Sequence, residues 1–171
     1  MKTKRTGLSI MSLASLSLML PGLVATNEVS KFQYAATFIC LANIPLTSLE
    51  TDTVLPGGYV TNVSVHNPNR TKVTVRKKLA VTFPPGEQRP GPVTKFIEEE
   101  LGPDEAFEVD CGDTAKFEFQ PIHGWKGFLV IESTGELDVT ALYTAGGSDF
   151  SAGDQVRSIA LERIPGREIT P

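Results

Sequence analysis

Histidine is almost missing from this chain: among 171 residues only His66 and His123 occur, far apart and in neither an HxH nor an HxxxH spacing. Zinc and copper centres draw on clustered His, Cys, Asp and Glu, so a metal centre has little to build on. All three methionines fall at positions 1, 11 and 19, and neither cysteine is followed closely by a histidine, which excludes a blue-copper site. For the two histidines themselves, a two-ligand surface zinc site competes with a simpler reading as turn residues held by local hydrogen bonds. No GxSxG elbow and no GxxxxGK[ST] loop is present, which removes the serine-hydrolase and P-loop chemistries. Acidic residues outnumber basic ones, 20 to 16, so nucleic acid is not an expected partner: phosphate neutralisation needs a basic face. Carboxylates cluster at Glu98-Glu99-Glu100, Asp104-Glu105 and Glu108/Asp110, but they read as solvated faces rather than a glycosidase pair. Fragments near Asp110–Asp113 and Asp149–Asp154 fall short of a calcium loop. Neither a catalytic residue, a cofactor nor a metal is expected.

What is present begins with a three-part N-terminus. Lys2, Lys4 and Arg5 precede an apolar run over 8–20 that is diluted by four serines, and Pro21-Gly22 breaks it ahead of Leu23-Val24-Ala25. That pattern predicts a signal peptide over 1–25 and an exported chain, destined for periplasm, cell surface or medium. The alternative, an uncleaved anchor, has an apolar run shorter than the roughly 20 residues a spanning helix needs. No later segment is long and apolar enough to form an integral membrane helix once the signal is removed. Because the signal takes three cations and no anion, the chain beyond Ala25 is more acidic than the net −4 of the whole.

Cys40 and Cys111 both fall on the apolar parity of their segments: Phe32, Tyr34, Ala36, Phe38, Cys40 in one, Phe107, Val109, Cys111 in the other. If both strands face one core the thiols can meet there, and an oxidising compartment would bond them. Closing a loop of about 70 residues would stabilise the fold by roughly 4 kcal/mol. Two buried free thiols are the competing reading.

The remaining pattern is a succession of short strands. Residues 31–40 read as the first strand, with aromatic residues at every second position. A long aperiodic stretch occupies 41–56, then come a strand over 59–66, a turn at Asn67-Pro68-Asn69-Arg70, and a long strand over 71–83. In that last strand Lys77 interrupts the apolar row, predicting either a bulge or a side chain that leaves the core edge for solvent. Residues 84–92 hold too many prolines for a sheet interior. Residues 93–101 suggest one or two helical turns with Phe96, Ile97 and Leu101 inward. A strand over 106–111 precedes the stretch 126–145, the centre of the pattern. There Phe128–Ile131 is apolar on both faces, and a turn at Ser133-Thr134-Gly135 leads to Leu137, Val139, Ala141 and Tyr143 on one face of a second strand. This reads as the hairpin at the heart of the sheet. A last strand is expected over 155–164 and a flexible tail over 165–171. With no βαβ unit, the expectation is one all-β, mainly antiparallel sandwich of about 7–9 strands over 26–164.

The runs YVTNVSVHNPNRTKVTVRKKLAVTF, LGPDEAFEVDC and GFLVIESTGELDVTALYTA resemble small exported bacterial proteins of immunoglobulin-like sandwich type that carry no assigned function. The resemblance spans about 31–164 and implies an immunoglobulin-like fold and export, with no activity and no site residues. The sequence supports two functional expectations. The first is a non-enzymatic contact protein of the cell envelope or secreted matrix, pairing through an edge strand with a protein partner or with itself. The second is a carbohydrate or small-ligand module on loops around His66, His123 and Trp125. Trp125 is its best contact residue, against a competing reading of that ring as a plug at the sandwich end.

Overall fold

Alternation of apolar and polar residues decides nearly every element. The structure, a computed structural model, describes residues 29–44, 57–83, 86–119, 124–146 and 158–170. The predicted signal peptide, most of the aperiodic stretch 41–56, and His123 lie outside them. The described residues form ten strands: β1 (Phe32–Ile44), β2 (Gly57–His66), β3 (Val73–Thr82), β4 (Pro90–Val93), β5 (Ile97–Leu101), β6 (Ala106–Val109), β7 (Trp125–Ser133), β8 (Asp138–Gly146), β9 (Ser158–Arg163) and β10 (Arg167–Glu168). The one described helix is a 3-10 segment, Cys111–Phe117. Every strand pairing is antiparallel. The chain is therefore the all-β sandwich its sequence predicts.

The strands run in the order β4-β3-β7-β1-β2-β8-β9, with β5 beside β3, β6 beside β2 and β10 beside β1. Strand β1 belongs to both layers. It pairs with β7 from Phe32 to Cys40 and with β2 from Cys40 to Ile44, so Cys40 lies opposite Trp125 on one side and Val60 on the other. Inward residues of the first layer (Tyr34, Ala36 and Phe38 on β1, Val75 and Leu79 on β3, Leu129 and Ile131 on β7) meet those of the second (Val63 and Val65 on β2, Val139 and Ala141 on β8). Each of these is at most 1% exposed. Burying a Val, Leu, Ile or Phe side chain is worth about 1.5–3 kcal/mol, so a one-residue slip of any of these strands would forfeit several such gains at once. Tyr34 also crosses the core: Leu137 N–H donates to its Oη at 2.6 Å, and a Cβ on Gly166 would fall 2.7 Å from its ring, which requires glycine there.

Several expectations are corrected. The stretch 126–145 forms two strands but no hairpin. β7 pairs with β3 and β1, β8 pairs with β2 and β9, and residues 134–137 carry the chain from one layer to the other. Thr134 fixes this crossing, since its hydroxyl accepts from Thr74 N–H at 3.1 Å and its own N–H donates to Thr74 O at 3.1 Å. The turn after His66 is likewise a crossing between layers. β7 is central, as expected, yet it is not buried on both sides: Phe128 is 42% exposed.

Residues 93–101 contain no helix. Their acidic run pairs as β5 against the basic run of β3, with Glu98 opposite Arg76 and Glu99 opposite Val75, and opposite charges across the ladder favour the strand. The prolines of 84–92 leave room only for β4 at the margin. Lys77 causes no bulge, because the β3–β7 register runs unbroken from Val75 to Thr82. Nor does its charge reach open water: the side chain is 8% exposed, its Nζ meets Glu99 Oε1 at 2.8 Å and lies 4.1 Å from the centre of the Phe107 ring. The tail expected to be flexible contributes β10, where Arg167 and Glu168 lie opposite Gln33 and Phe32 and Ile169 N–H donates to Lys31 O at 2.8 Å.

Candidate functional site

The residues that sequence reasoning singled out are divided between the two ends of the sandwich. At one end the predicted disulfide is formed: Cys40 and Cys111 are bonded, with Cα atoms 5.6 Å apart. The bond ties the start of the 3-10 helix to the point where β1 passes between layers. Asp110 caps that helix, its Oδ1 accepting from Gly112 N–H at 2.7 Å. Trp125 sits beside the disulfide as the first residue of β7 and is only 5% exposed. Its ring stacks on Phe38 with centroids 5.3 Å apart and takes Phe119 edge-on at 5.4 Å. Of the two readings of Trp125, this burial favours the plug at the sandwich end. Its Nε1 has no hydrogen-bond partner among the described residues.

His66 lies at the other end, on the outer face of β2. Its Nδ1 is 3.6 Å from Asp138 Oδ2 and its Nε2 3.8 Å from Asp104 Oδ1, separations too long for hydrogen bonds. Asp138 is engaged more closely by Arg163 Nη2 at 3.0 Å. The imidazole thus faces two exposed carboxylates rather than a hydroxyl or thiol it could activate. Among the described residues, no three His, Cys, Asp or Glu side chains come together to hold a metal ion. Next to His66, Asn67 is fully buried. Its amide Nδ2 lies 2.9 Å from Thr71 O, 3.0 Å from Leu101 O and 2.9 Å from Gly102 O, while Oδ1 accepts from Asn69 N–H at 3.0 Å and Asn69 Nδ2 at 2.8 Å. This knot anchors the crossing from β2 to β3 and is structural.

A feature the sequence did not announce is the outer margin of the second layer. β9 pairs with β8, Leu161 opposite Leu142 and Ile159 opposite Thr144, and no described strand pairs with its other side. Ile159 and Leu161 are the two most exposed large apolar residues described, at 66% and 73%. They share the outer face with Leu142 and with Val60, which is 40% exposed and lies opposite Thr144. Both charged residues of β9 are engaged by its own sheet. Glu162 Oε2 accepts from Tyr143 Oη at 2.9 Å, and Arg163 holds Asp138. Burial, then the neighbouring carboxylate of Glu162, push the Tyr143 hydroxyl up to about 12, so it stays a donor throughout the neutral range.

Other margins carry devices that discourage pairing. β4 contains Pro90 and Pro92, β5 presents three consecutive glutamates, β6 is four residues long with Glu108, and β10 is two charged residues. β9 alone among these leaves four consecutive residues free of both charge and proline, Ser158 to Leu161, on an open margin. The signal was present in the sequence as the absence of any proline or charge there. It became meaningful only once the strand was placed at an edge.

No protein-family model matches the chain, and no curated protein matches it. One solved structure to which it is similar is the crystal structure of Thermotoga maritima 1070, with a TM-score of 0.45 and 9% identity over 82% of this chain and 96% of that one. A likeness of that size fixes neither a family nor an activity. Among the described residues no helix is long and apolar enough to cross a membrane, and disulfides as a class form and persist mainly in oxidising environments.

Proposed function

We propose that this chain is an exported, non-enzymatic β-sandwich that acts through protein contacts in the cell envelope or secreted matrix, and that β9 supplies the contact. The observation that carries the reading is the unguarded margin of β9 with Ile159 and Leu161 exposed on it. Strand addition to such a margin draws affinity from main-chain hydrogen bonds and selectivity from alternate side chains. Export is supported by the basic and apolar N-terminus and by the disulfide, and agrees with the resemblance to exported immunoglobulin-like proteins. The competing reading, a carbohydrate module around His66 and Trp125, loses its aromatic platform because Trp125 is buried.

The test is a photo-crosslinking amino acid placed at Leu161 in cells producing the full chain, with a second variant carrying it at the exposed Lys72 of the β2–β3 crossing. A discrete covalent adduct from position 161 in the exported fraction, absent from position 72, is the expected result. No adduct from position 161, or the same adducts from both positions, overturns the assignment of β9.

A further inference from the structure

Resting on that reading, we infer that the occupant of the β9 margin is β9 of a second copy of this chain, antiparallel about a two-fold axis through Ala160, so that the second layer runs continuously across both copies. The argument is one of register. A two-fold axis perpendicular to the joined sheets keeps the outer face of each copy on the same side. Directly opposed residues must therefore share parity, and the axis must pass through a residue position rather than between two. Five such axes fall between Ile159 and Arg163. An axis at Ile159 opposes that residue with its own copy and leaves Leu161 without a partner inside β9, and an axis at Arg163 sets two like charges against each other.

An axis at Glu162 sets two like charges against each other, which is unfavourable. An axis at Leu161 opposes that residue with its own copy and places Ile159 against the guanidinium-bearing Arg163. An axis at Ala160 opposes Ile159 with Leu161 of the second copy and Leu161 with Ile159, with the small Ala160 pair at the centre. Each of the two most exposed apolar side chains then meets an apolar partner, twice over. Glu162 and Arg163 remain with Tyr143 and Asp138. Leu142, opposite Leu161, and Val60, two strands in from the margin, extend the same apolar strip on the outer face. Self-complementarity of this kind is what an isologous contact requires.

The register gives a test that a merely sticky strand would fail. Protein made from the full chain is compared by sedimentation equilibrium in four forms, with circular dichroism to confirm folding. The natural sequence is expected to show a concentration-dependent dimer. Ile159→Lys with Leu161→Lys brings lysines face to face twice and weakens the dimer about a hundredfold or more. Ile159→Lys with Leu161→Glu opposes Lys with Glu in both pairs, restoring a dimer that high salt dissolves. Ala160→Cys, on the axis, becomes an oxidised dimer on a non-reducing gel. It keeps the test decisive if the lysines unfold the strand.

A natural chain that stays monomeric at every concentration overturns the self-pairing. So does a dimer that survives the double lysine variant, or failure of the Lys/Glu variant to recover. A monomer whose Leu161 probe still crosslinks to a different exported chain would leave the strand-addition reading standing and dismiss the second copy as its occupant. A monomer without any crosslink would dismiss both.

Discussion

Tyr143 shows how much one side chain beside the open margin controls. Its hydroxyl is pushed up to about 12, first by burial and then by Glu162, and burial raises Tyr34 above its ordinary 10.0 as well. A raised tyrosine pKa means that the folded protein keeps a proton which the unfolded chain releases from about pH 10 upward. The stabilisation is therefore complete below pH 10 and is lost as pH climbs towards 12. Urea midpoints measured on both sides of pH 10 should fall with pH in the natural chain. Tyr143→Phe should shallow that fall without abolishing it, since Tyr34 still contributes, while changing stability at neutral pH by only about 1 kcal/mol. An unchanged alkaline slope in the variant would mean that Tyr143 does not carry the effect. Lys77 makes a related point. Its position in the apolar row was plain from the sequence, but the partners that let an ammonium stay there, Glu99 and Phe107, lie on β5 and β6 and could not be read locally.

Among the elements, the strands were legible where period-two alternation is strong and local, as in β1, β2, β3 and β8. Connections were less so. The two turns after His66 and Ser133 have hairpin chemistry, yet both carry the chain between layers, because each adjoining strand completes its ladder with sequence-distant neighbours. The helix expected over 93–101 failed for a cross-strand reason: Glu98, Glu99 and Glu100 lie opposite Arg76, Val75 and Thr74 of β3, with Lys77 and Lys72 holding Glu99 and Glu100, and no window along the segment itself contains that information. Asn67 holds one of the crossings. Asn67→Ala removes the contacts to Thr71 O, Leu101 O and Gly102 O, of which Gly102 O keeps the Glu105 N–H at 3.2 Å, and leaves a buried void; it should cost about 2–4 kcal/mol in urea unfolding. A loss below about 1 kcal/mol would show that water replaces the amide and that the knot is not what anchors the crossing.

For the molecule as a whole, the cysteine parity was enough to suggest the bond, whereas strand order was not recoverable, and with it went the knowledge that β9 ends a sheet. Exposure of Ile159 and Leu161 is a property of position in that order, which is why alternation alone would have buried them. The disulfide joins the layers at their shared strand, so removing it should weaken both together. Cys40→Ser with Cys111→Ser is expected to lower unfolding free energy by about 4 kcal/mol while keeping one cooperative transition. Two separated transitions would mean that the layers hold independently. The pairing of β1 with β7 and β10 has a kinetic consequence. The start of the first strand finds its neighbours far along the chain, on β7 and β10, as in the Gln33–Arg167 contact between residues 134 positions apart. Contacts that distant make folding slow, and the N-terminal part cannot lock while the C-terminal part is still being made. If the chain is exported as proposed above, that delay would keep β1 unpaired, and the polypeptide extended, until β7 and β10 are available to it.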